Sequence, residues 1–266
     1  MTDIFNNPFI LRGFISSLVL AILAPSIGIF LLARRYTVIA DALAHFTLVG
    51  VAIAQILHWP TPVVAPLVAV IAALGMERVR LSKKLFGDAA LAVFLTGGLA
   101  LALILSASSG SSQVNFNAYL FGSLASVSWN DIYLMIAACV LSLGLITVLY
   151  PYFFLLSLDE DLARAAGLHV TALSLVLILI TASAVSSLIT AVGALLVGGL
   201  MVIPPSAAAQ FGLSFKRTLY LSILFGLISS IGGFALAYTL NLPGGATIVL
   251  FSLILLVISF LLNRND

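Results

Sequence analysis

Residues 170–212 read VTALSLVLILITASAVSSLITAVGALLVGGLMVIPPSAAAQFG and contain no charged side chain over 43 positions. A transmembrane helix needs about 20 mostly apolar residues, with a usual range of roughly 17 to 25. The run is therefore too long for one span. It predicts two spans joined by a tight turn, which we place near Thr190. A chain with two adjacent spans lies in a membrane, so we expect further spans on either side.

The composition of the whole chain agrees with a membrane location. Hydrophobic residues make up 62% of the 266 positions and charged residues 8%, whereas about 25% of a soluble domain is charged. The chain has too few charges to coat a globule in water, which excludes a soluble protein. The net charge of +2 comes from a few basic residues between the apolar runs, so it does not indicate a nucleic-acid partner.

Nine apolar runs have the length of a span. They cover residues 13–33, 37–57, 61–76, 88–108, 131–152, 170–189, 191–210, 218–240 and 246–262. The sequence therefore predicts an all-α, polytopic helix bundle that forms a single transmembrane domain over residues 1–266. With the N-terminus outside, ten of the eleven Lys and Arg residues fall on one side of the membrane and only Arg12 on the other. The positive-inside rule makes the richer side cytoplasmic, which gives an N-out, C-in chain.

Two ionisable residues, Asp41 and His45, lie inside the second predicted span. A charge at the centre of a membrane helix costs about 2.5–3.5 kcal/mol or more, so these residues need an explanation. Four positions apart on a helix, they share one face. A carboxylate and an imidazole on one face suit half of a divalent metal site. They would equally suit a proton relay, or a structural pair hydrogen-bonded to backbone carbonyls.

The number of ligands points to a second copy of the chain. Zinc sites usually have four ligands, and no other charged residue lies deep in a predicted span. A two-fold dimer, the commonest assembly, would supply two carboxylates and two imidazoles if the second spans faced each other. We expect the small residues Ala42, Ala44 and Gly50 to permit that close approach.

Residues 157–168, SLDEDLARAAGL, predict a short cytoplasmic helix. Ser157 and Glu160 have the spacing of a capping box, and Gly167 suits a C-terminal stop. The chain has no G-x-x-x-x-G-K-[ST] phosphate loop and no H-E-x-x-H zinc-protease motif. The helix is then either an ordinary solvated loop helix or a docking site for a cytoplasmic motor. In the seventh predicted span, Pro204 and Pro205 predict a kink.

Five segments resemble, in this order, the hallmark segments of bacterial ABC importer permeases for zinc, manganese or iron. They are IGIFLLARRYTVIADALAHFTLVGVAIA, AYLFGSLASVSWND, LDEDLARAAGLHV, VGALLVGGLMVIPPSAAAQF and LPGGATIVL. The resemblance implies a homodimer in the bacterial plasma (inner) membrane, surrounded by lipid. Its partners would be cytoplasmic ATP-binding subunits, which hydrolyse the ATP, and an extracytoplasmic metal-binding protein. The chain itself would be neither an enzyme nor the holder of a cofactor.

The resemblance also implies roles for particular residues. Asp41 and His45 match the family's intramembrane metal ligands, and Pro204 and Pro205 its double-proline span. The family's ATPase-coupling helix is matched by Leu158, Asp159, Glu160, Asp161, Leu162, Arg164, Ala165 and Gly167. One Asp and one His from each copy favour Zn(II) as the transported ion, with Mn(II) or Fe(II) as alternatives.

Other functions remain as alternatives at this point. A channel or proton-coupled carrier would use the same two residues without an ATPase. An intramembrane metalloenzyme would need a third ligand or a general base near His45, and a purely structural scaffold would not need Asp41.

Overall fold

The computed structural model describes residues 8–81, 87–108, 119, 122 and 127–263, and the regular elements in these parts are all helices. The helices are α1 Pro8–Ala33, α2 Thr37–Ile56, α3 Thr61–Leu81, α4 Gly87–Ser108, α5 Trp129–Leu158, α6 Glu160–Ala165, α7 Val170–Val192, α8 Ala194–Ala209, α9 Phe215–Leu240 and α10 Gly244–Leu262. The predicted all-α bundle is confirmed. Lys83, Lys84 and Arg264, three of the basic residues used for the predicted orientation, lie outside the described residues.

Eight of the described helices are long and apolar enough to cross a membrane. They correspond to every predicted span except the seventh, 191–210. That segment forms α8, an apolar helix of 16 residues. At about 1.5 Å per residue it is roughly 24 Å long, shorter than a hydrocarbon core of about 30 Å.

The turn between α7 and α8 lies at Gly193 rather than at the predicted position near Thr190. Gly193 has φ 86° and ψ 155°, a backbone conformation that a residue with a Cβ rarely adopts. Its amide donates to the Ile189 carbonyl at 3.0 Å, which closes the end of α7. The chain can therefore reverse directly into α8 without a loop.

Two predicted spans end too early. Helix α3 continues to Leu81 instead of ending at residue 76, and α5 runs from Trp129 to Leu158 instead of 131–152. Periodic hydrophobicity marks only the part of a helix inside lipid, whereas the helical ladder continues into the polar ends. At the start of α5, the backbone amide of Asp131 donates to Ser128 Oγ at 3.2 Å and the amide of Ser128 donates to Asp131 Oδ2 at 3.0 Å, which forms a capping box.

Helix α8 is held in the middle of the bundle by close backbone contact with α1. A Cβ atom on Gly28 would lie 1.8 Å from the Met201 carbonyl oxygen. Pro205 has no N–H to bond that carbonyl, so Gly28 lets α1 approach a carbonyl freed by the proline. The C-terminal end of α8 lies beside the C-terminal end of α10, where the Asn263 side-chain amide donates to the Gln210 carbonyl. Helices α8 and α10 therefore run in the same direction.

Candidate metal site and neighbouring charged cluster

A cavity of about 540 Å³ lies among α2, α4, α8 and α10. Asp41 and His45 of α2 line it one helical turn apart, and both side chains are half-buried. The rest of the lining is glycine and apolar side chains, among them Leu95 of α4 and Val249 of α10. The two predicted ligands are thus brought together in an otherwise apolar chamber.

Neither side chain has a protein partner in the described part of the chain. Asp41 forms no ion pair or hydrogen bond there, and Nδ1 of His45 is buried without a hydrogen-bond partner. A buried polar group without a partner costs about 1–3 kcal/mol. A structural pair hydrogen-bonded to carbonyls, one of the alternatives from the sequence, would have such partners. The arrangement instead leaves carboxylate and imidazole lone pairs available to a ligand.

Two glycines that the sequence analysis did not single out shape this site. A Cβ atom on Gly198 of α8 would lie 2.0 Å from Oδ1 of Asp41, and one on Gly98 of α4 would lie 3.3 Å from Cβ of His45. Each glycine therefore lets a neighbouring helix approach one ligand. Both belong to a Gly-Gly pair, at 97–98 and 198–199, and these pairs are the sequence signal that could have found them.

One chain supplies two ligands and no more within the part described. No group of three or more His, Cys, Asp or Glu side chains there could hold a metal ion. A site with the usual four ligands therefore needs ligands from beyond the described residues of one chain.

The expectation that small residues of α2 face a second copy is wrong for Ala42 and Gly50. Ala42 is 0% exposed and Ala44 is 2% exposed within a single chain. A Cβ atom on Gly50 would lie 2.7 Å from the Cα of Ala65 in α3. Ala42 and Gly50 are used for packing of α2 against its own neighbours, whereas Ala44 lines the cavity beside the two ligands. The exposed part of this face is the cavity wall that carries the two ligands.

The short helix α6 is present, but its cap differs from the predicted one. Ser157 still belongs to α5, which continues to Leu158. The N-cap is Asp159, whose Oδ1 accepts from the amides of Asp161 at 2.7 Å and Leu162 at 3.0 Å. Aspartate is a good N-cap, and the longer α5 leaves no room for a cap at Ser157. The predicted capping box is therefore wrong, whereas Gly167, with φ 81°, takes the left-handed conformation of a C-terminal stop.

Helix α6 exposes apolar side chains next to its buried ones. Leu158 and Leu162 are 61% and 54% exposed, whereas Ala163 is fully buried. Asp161 and Arg164 of the same helix are also exposed, with N···O 3.7 Å between them. The outer face of α6, together with Leu158 at the adjoining end of α5, thus combines two leucines with charged groups.

A charged cluster joins α6 to the turn between α1 and α2. Nη2 of Arg34 donates to Oε1 of Glu160 at 2.5 Å, to Oγ of Ser174 at 2.7 Å and to Oη of Tyr36 at 3.2 Å. The Tyr36 hydroxyl in turn donates to the same Glu160 oxygen at 3.3 Å. The carboxylate that begins α6 therefore contacts the residue that immediately precedes α2.

Helix α3 contributes to the same cluster. Arg80 forms two hydrogen bonds with Glu77, at 2.8 and 2.7 Å, and lies 3.8 Å from Oε1 of Glu160. The Arg34 and Arg80 guanidinium carbons lie 4.4 and 4.8 Å from the Tyr36 ring centroid, within reach of a cation–π interaction. We name Arg34, Tyr36, Arg80 and Glu160 the inner cluster.

The electrostatics of the inner cluster fix its protonation at neutral pH. Burial raises the pKa of Tyr36 to about 12, although the charges of Arg34 and Arg80 act to lower it. Burial alone would raise the pKa of Glu160, but the hydrogen bond and charge of Arg34, followed by the charge of Arg80, lower it overall. Tyr36 therefore stays protonated at neutral pH, and its hydroxyl donates a hydrogen bond to an ionised Glu160. Glu160 was among the residues expected from the sequence, whereas Arg34 and Tyr36 were not. The stretch ARRY, directly before the second predicted span, is the signal that could have suggested them.

Comparisons with known proteins show the family of this chain. Residues 6–263 match the model of the ABC 3 transport family. The chain is 33% identical over 250 residues to the high-affinity zinc uptake system membrane protein ZnuB of Buchnera aphidicola subsp. Schizaphis graminum, covering 90% of this chain and 92% of that protein. It is 29% identical over 253 residues to the manganese transport system membrane protein MntC of Listeria innocua, covering 95% and 90%.

A solved structure shares the fold. PsaBC from Streptococcus pneumoniae in complex with Fab superposes with a TM-score of 0.86 at 26% identity, covering 97% of this chain and 92% of that one. The resemblance stated from the sequence segments is confirmed. With a family model matched over residues 6–263 and a relative 33% identical over nine-tenths of the chain, this protein belongs to the ABC 3 transport family, as a permease of metal ABC transporters.

Proposed function

We propose that this protein is the membrane subunit of an ATP-driven importer of divalent metal ions and works as a homodimer. The ion passes through a site made of Asp41 and His45 from both copies. The observation that carries this proposal is the unpartnered carboxylate and imidazole in an otherwise apolar cavity. A divalent cation would offset the desolvation of both groups, since buried charged groups in proteins are either ion-paired or bound to a metal ion.

Zn(II) is the ion we favour, with Mn(II) and Fe(II) as alternatives. Two imidazoles and two carboxylates suit zinc, whereas harder ions prefer more oxygen ligands. Relatives of this chain are named for zinc and for manganese, so the family alone does not decide. Elemental analysis of the purified, metal-loaded complex decides it.

The membrane topology is nine crossings, N-out and C-in, with α8 as the short seventh crossing. Helix α8 is tolerated at 16 residues because it is surrounded by protein, with Leu196, Val197 and Leu200 at 0% exposure. Its parallel course with α10 supports one crossing in the same direction for both. Arg34, Arg80 and Glu160 meet at one end of the bundle, which we assign to the cytoplasm of a bacterial cell.

The partners follow from this topology. Helix α6 docks onto an ATP-binding subunit in the cytoplasm through its exposed face, where Leu158 and Leu162 lack an intrachain cover. The coupling helix comprises the residues expected from the sequence: Leu158, Asp159, Glu160, Asp161, Leu162, Arg164, Ala165 and Gly167. Among them, the carboxylate of Glu160 bonds within the inner cluster and not to the subunit. ATP hydrolysis takes place on that subunit, and an extracytoplasmic metal-binding protein delivers the ion at the opposite face.

Pro204 and Pro205 make α8 the moving part of the pathway. Each proline removes a helical hydrogen bond, so α8 bends there at lower cost than its neighbours. Gly198 of the same helix contacts Asp41, so bending of α8 changes the wall of the cavity next to a metal ligand.

The experiment that tests the proposal compares three variants in the reconstituted complex. Asp41→Ala and His45→Ala each remove two of the four ligands in a dimer, and we expect both to abolish bound metal and uptake while expression and insertion remain normal. The matched control is His58→Gln, which changes an exposed histidine just beyond α2 and leaves uptake unchanged. Wild-type uptake by either ligand variant would refute the site. Metal uptake by the wild type without ATP-binding subunits would instead favour a channel or a proton-coupled carrier.

A further inference from the structure

The inner cluster connects the helix that we assign to ATPase docking with the helix that carries the metal ligands. Glu160 is the first residue of α6, and Tyr36 is the residue directly before α2. Their side chains meet at 3.3 Å, and both are bonded to Nη2 of Arg34. Asp41 and His45 follow Tyr36 on the same helix, about 6 and 12 Å along its axis from Thr37.

We propose that Arg34, Tyr36 and Glu160 are positioning residues that transmit movement of α6 to α2 and so control the metal site. This inference rests on the proposed function, because it takes α6 as the docking helix and α2 as the ligand helix. It adds the physical connection between them.

The contacts of α6 support a transmission role for Glu160. Helix α6 packs on α5 and α7, and within the described residues Glu160 is its one side chain with an ion pair to the α1–α2 turn or to α3. Helix α7 also packs against α2, but the Glu160 carboxylate gives α6 a direct connection to the residues that begin α2. Rigid helices and hydrogen-bond networks are the elements that carry such coupling between sites.

The Arg34 side chain holds Glu160 firmly and also has donors for a second arrangement of the ion pair. It is 2% exposed, so losing Glu160 would leave a buried cation unpaired, which is strongly unfavourable. Its Nε and Nη1 are buried without hydrogen-bond partners. When α6 moves, Glu160 can exchange one guanidinium donor for another and remain paired throughout. The cluster thus has spare donors for a second arrangement.

The test uses the permease reconstituted in lipid with its ATP-binding subunits. Glu160→Gln removes the charge and keeps the shape, and Tyr36→Phe removes only the hydroxyl that donates to Glu160. The controls make comparable changes at the start of α9. There the ring centroid of Phe215 lies 5.3 Å from that of Phe30, near the end of α1. They are Arg217→Gln, which removes an exposed charge, and Tyr220→Phe, which removes an exposed hydroxyl.

Three quantities are measured: equilibrium metal binding, ATP hydrolysis, and metal ions transported per ATP hydrolysed. We expect Glu160→Gln to bind metal and hydrolyse ATP like the wild type but to transport about tenfold fewer ions per ATP, within the roughly 5- to 150-fold range of coupling between sites. Tyr36→Phe shows a smaller loss of the same kind, and both controls keep the wild-type ratio. A purely structural role would lower binding and hydrolysis together.

Two further outcomes of this assay overturn the inference. One is a wild-type ratio of ions to ATP in Glu160→Gln. The other is loss of the ATP-binding subunit from that variant, because Glu160 would then be a docking contact. Failure of the proposed function looks different, since the wild type itself would then show no ATP-dependent metal transport.

A distance measurement tests the inference without relying on activity. Spin labels are placed at the exposed positions Arg35 and Ala166 in a Cys139→Ser background, since Cys139 is a free thiol. If α6 and the start of α2 move together, their separation stays constant between the nucleotide-free and ATP-bound complex, and Glu160→Gln makes it vary. A separation that already varies with ATP in the presence of Glu160 would contradict the connection.

Discussion

Gly198→Ala is the substitution for which the structure gives the sharpest expectation. The added methyl carbon would lie 2.0 Å from Oδ1 of Asp41 and 3.2 Å from its Cγ, whereas ordinary contact begins at 3.4 Å. The carboxylate oxygen must therefore retreat by about 1.4 Å. The atom in the way is the tip of a side chain that can rotate, so the helices keep their positions. Alanine also favours a helix over glycine by about 1 kcal/mol, so α8 itself is not weakened.

The displacement is large on the scale of metal coordination. Zinc–oxygen distances are about 2.0–2.2 Å, so a carboxylate moved by about 1.4 Å no longer ligates in the original geometry. In the proposed dimer both copies lose this ligand position. Disturbing the groups that orient ligands typically weakens metal binding about 10- to 100-fold. We expect a loss at the upper end of that range, with the thermal unfolding temperature close to that of the wild type.

The assay is equilibrium metal binding to the purified protein, with thermal unfolding measured on the same sample. The matched control is Gly144→Ala, since a Cβ at Gly144 in α5 meets nothing within 4 Å. It should leave metal affinity unchanged. A Gly198→Ala protein that binds metal with wild-type affinity would refute the reasoning, because Asp41 would then not be a ligand in the orientation described.

Three further predictions address the rest of the molecule. Gly28→Ala should lower the thermal unfolding temperature markedly, because its methyl would lie 1.8 Å from the Met201 backbone oxygen and overpacking against backbone costs about 1–3 kcal/mol or more; an unchanged temperature would contradict this packing. A cysteine at exposed Leu162 should cross-link to an ATP-binding subunit, and an active complex that yields no cross-link would contradict the docking role of α6. A spin label at exposed Ala209 should change its distance to α10 when ATP binds, whereas a constant distance would indicate a static α8.

The pH dependence of the inner cluster gives a fifth prediction. The pKa of Glu160 is lowered in the folded protein from its ordinary 4.5, so its ion pair with Arg34 contributes full stability above about pH 4.5 and loses it as pH falls through the lowered value. The unfolding temperature of the wild type should exceed that of Glu160→Gln by a constant amount from neutral pH to about pH 5. The difference should shrink in stronger acid. A difference independent of pH would contradict an ionised Glu160.

The membrane helices could be predicted from the sequence because lipid restricts the structures that a spanning segment can adopt. Every backbone group must be satisfied within the segment, so apolar runs of span length are helices, and the eight long ones were found. The rule fails at helix ends. Helix α5 continues beyond its apolar run to Leu158, so Ser157 lies inside it and cannot cap α6. Helix α8 is shorter than a span because protein, rather than lipid, surrounds it.

The candidate site could be predicted only in part, because some of its residues come together only when the chain folds. Asp41 and His45 stand out because each is unexpected in an apolar run. Gly198 could not be assigned to Asp41 because the two residues are distant in sequence, and only packing of α8 on α2 brings them together. Tyr36 gave only the signal of the ARRY stretch, and a tyrosine next to two arginines at a span end is ordinary. Its role depends on α6 folding back onto it.

The central claim is that one metal ion is bound between two copies of the chain. Elemental analysis of the purified, metal-loaded complex, normalised to the permease concentration, tests this most directly. We expect one ion for every two chains, and loss of that ion in Asp41→Ala and His45→Ala. One ion for each chain in the wild type, lost in the same variants, would contradict a site shared between two copies.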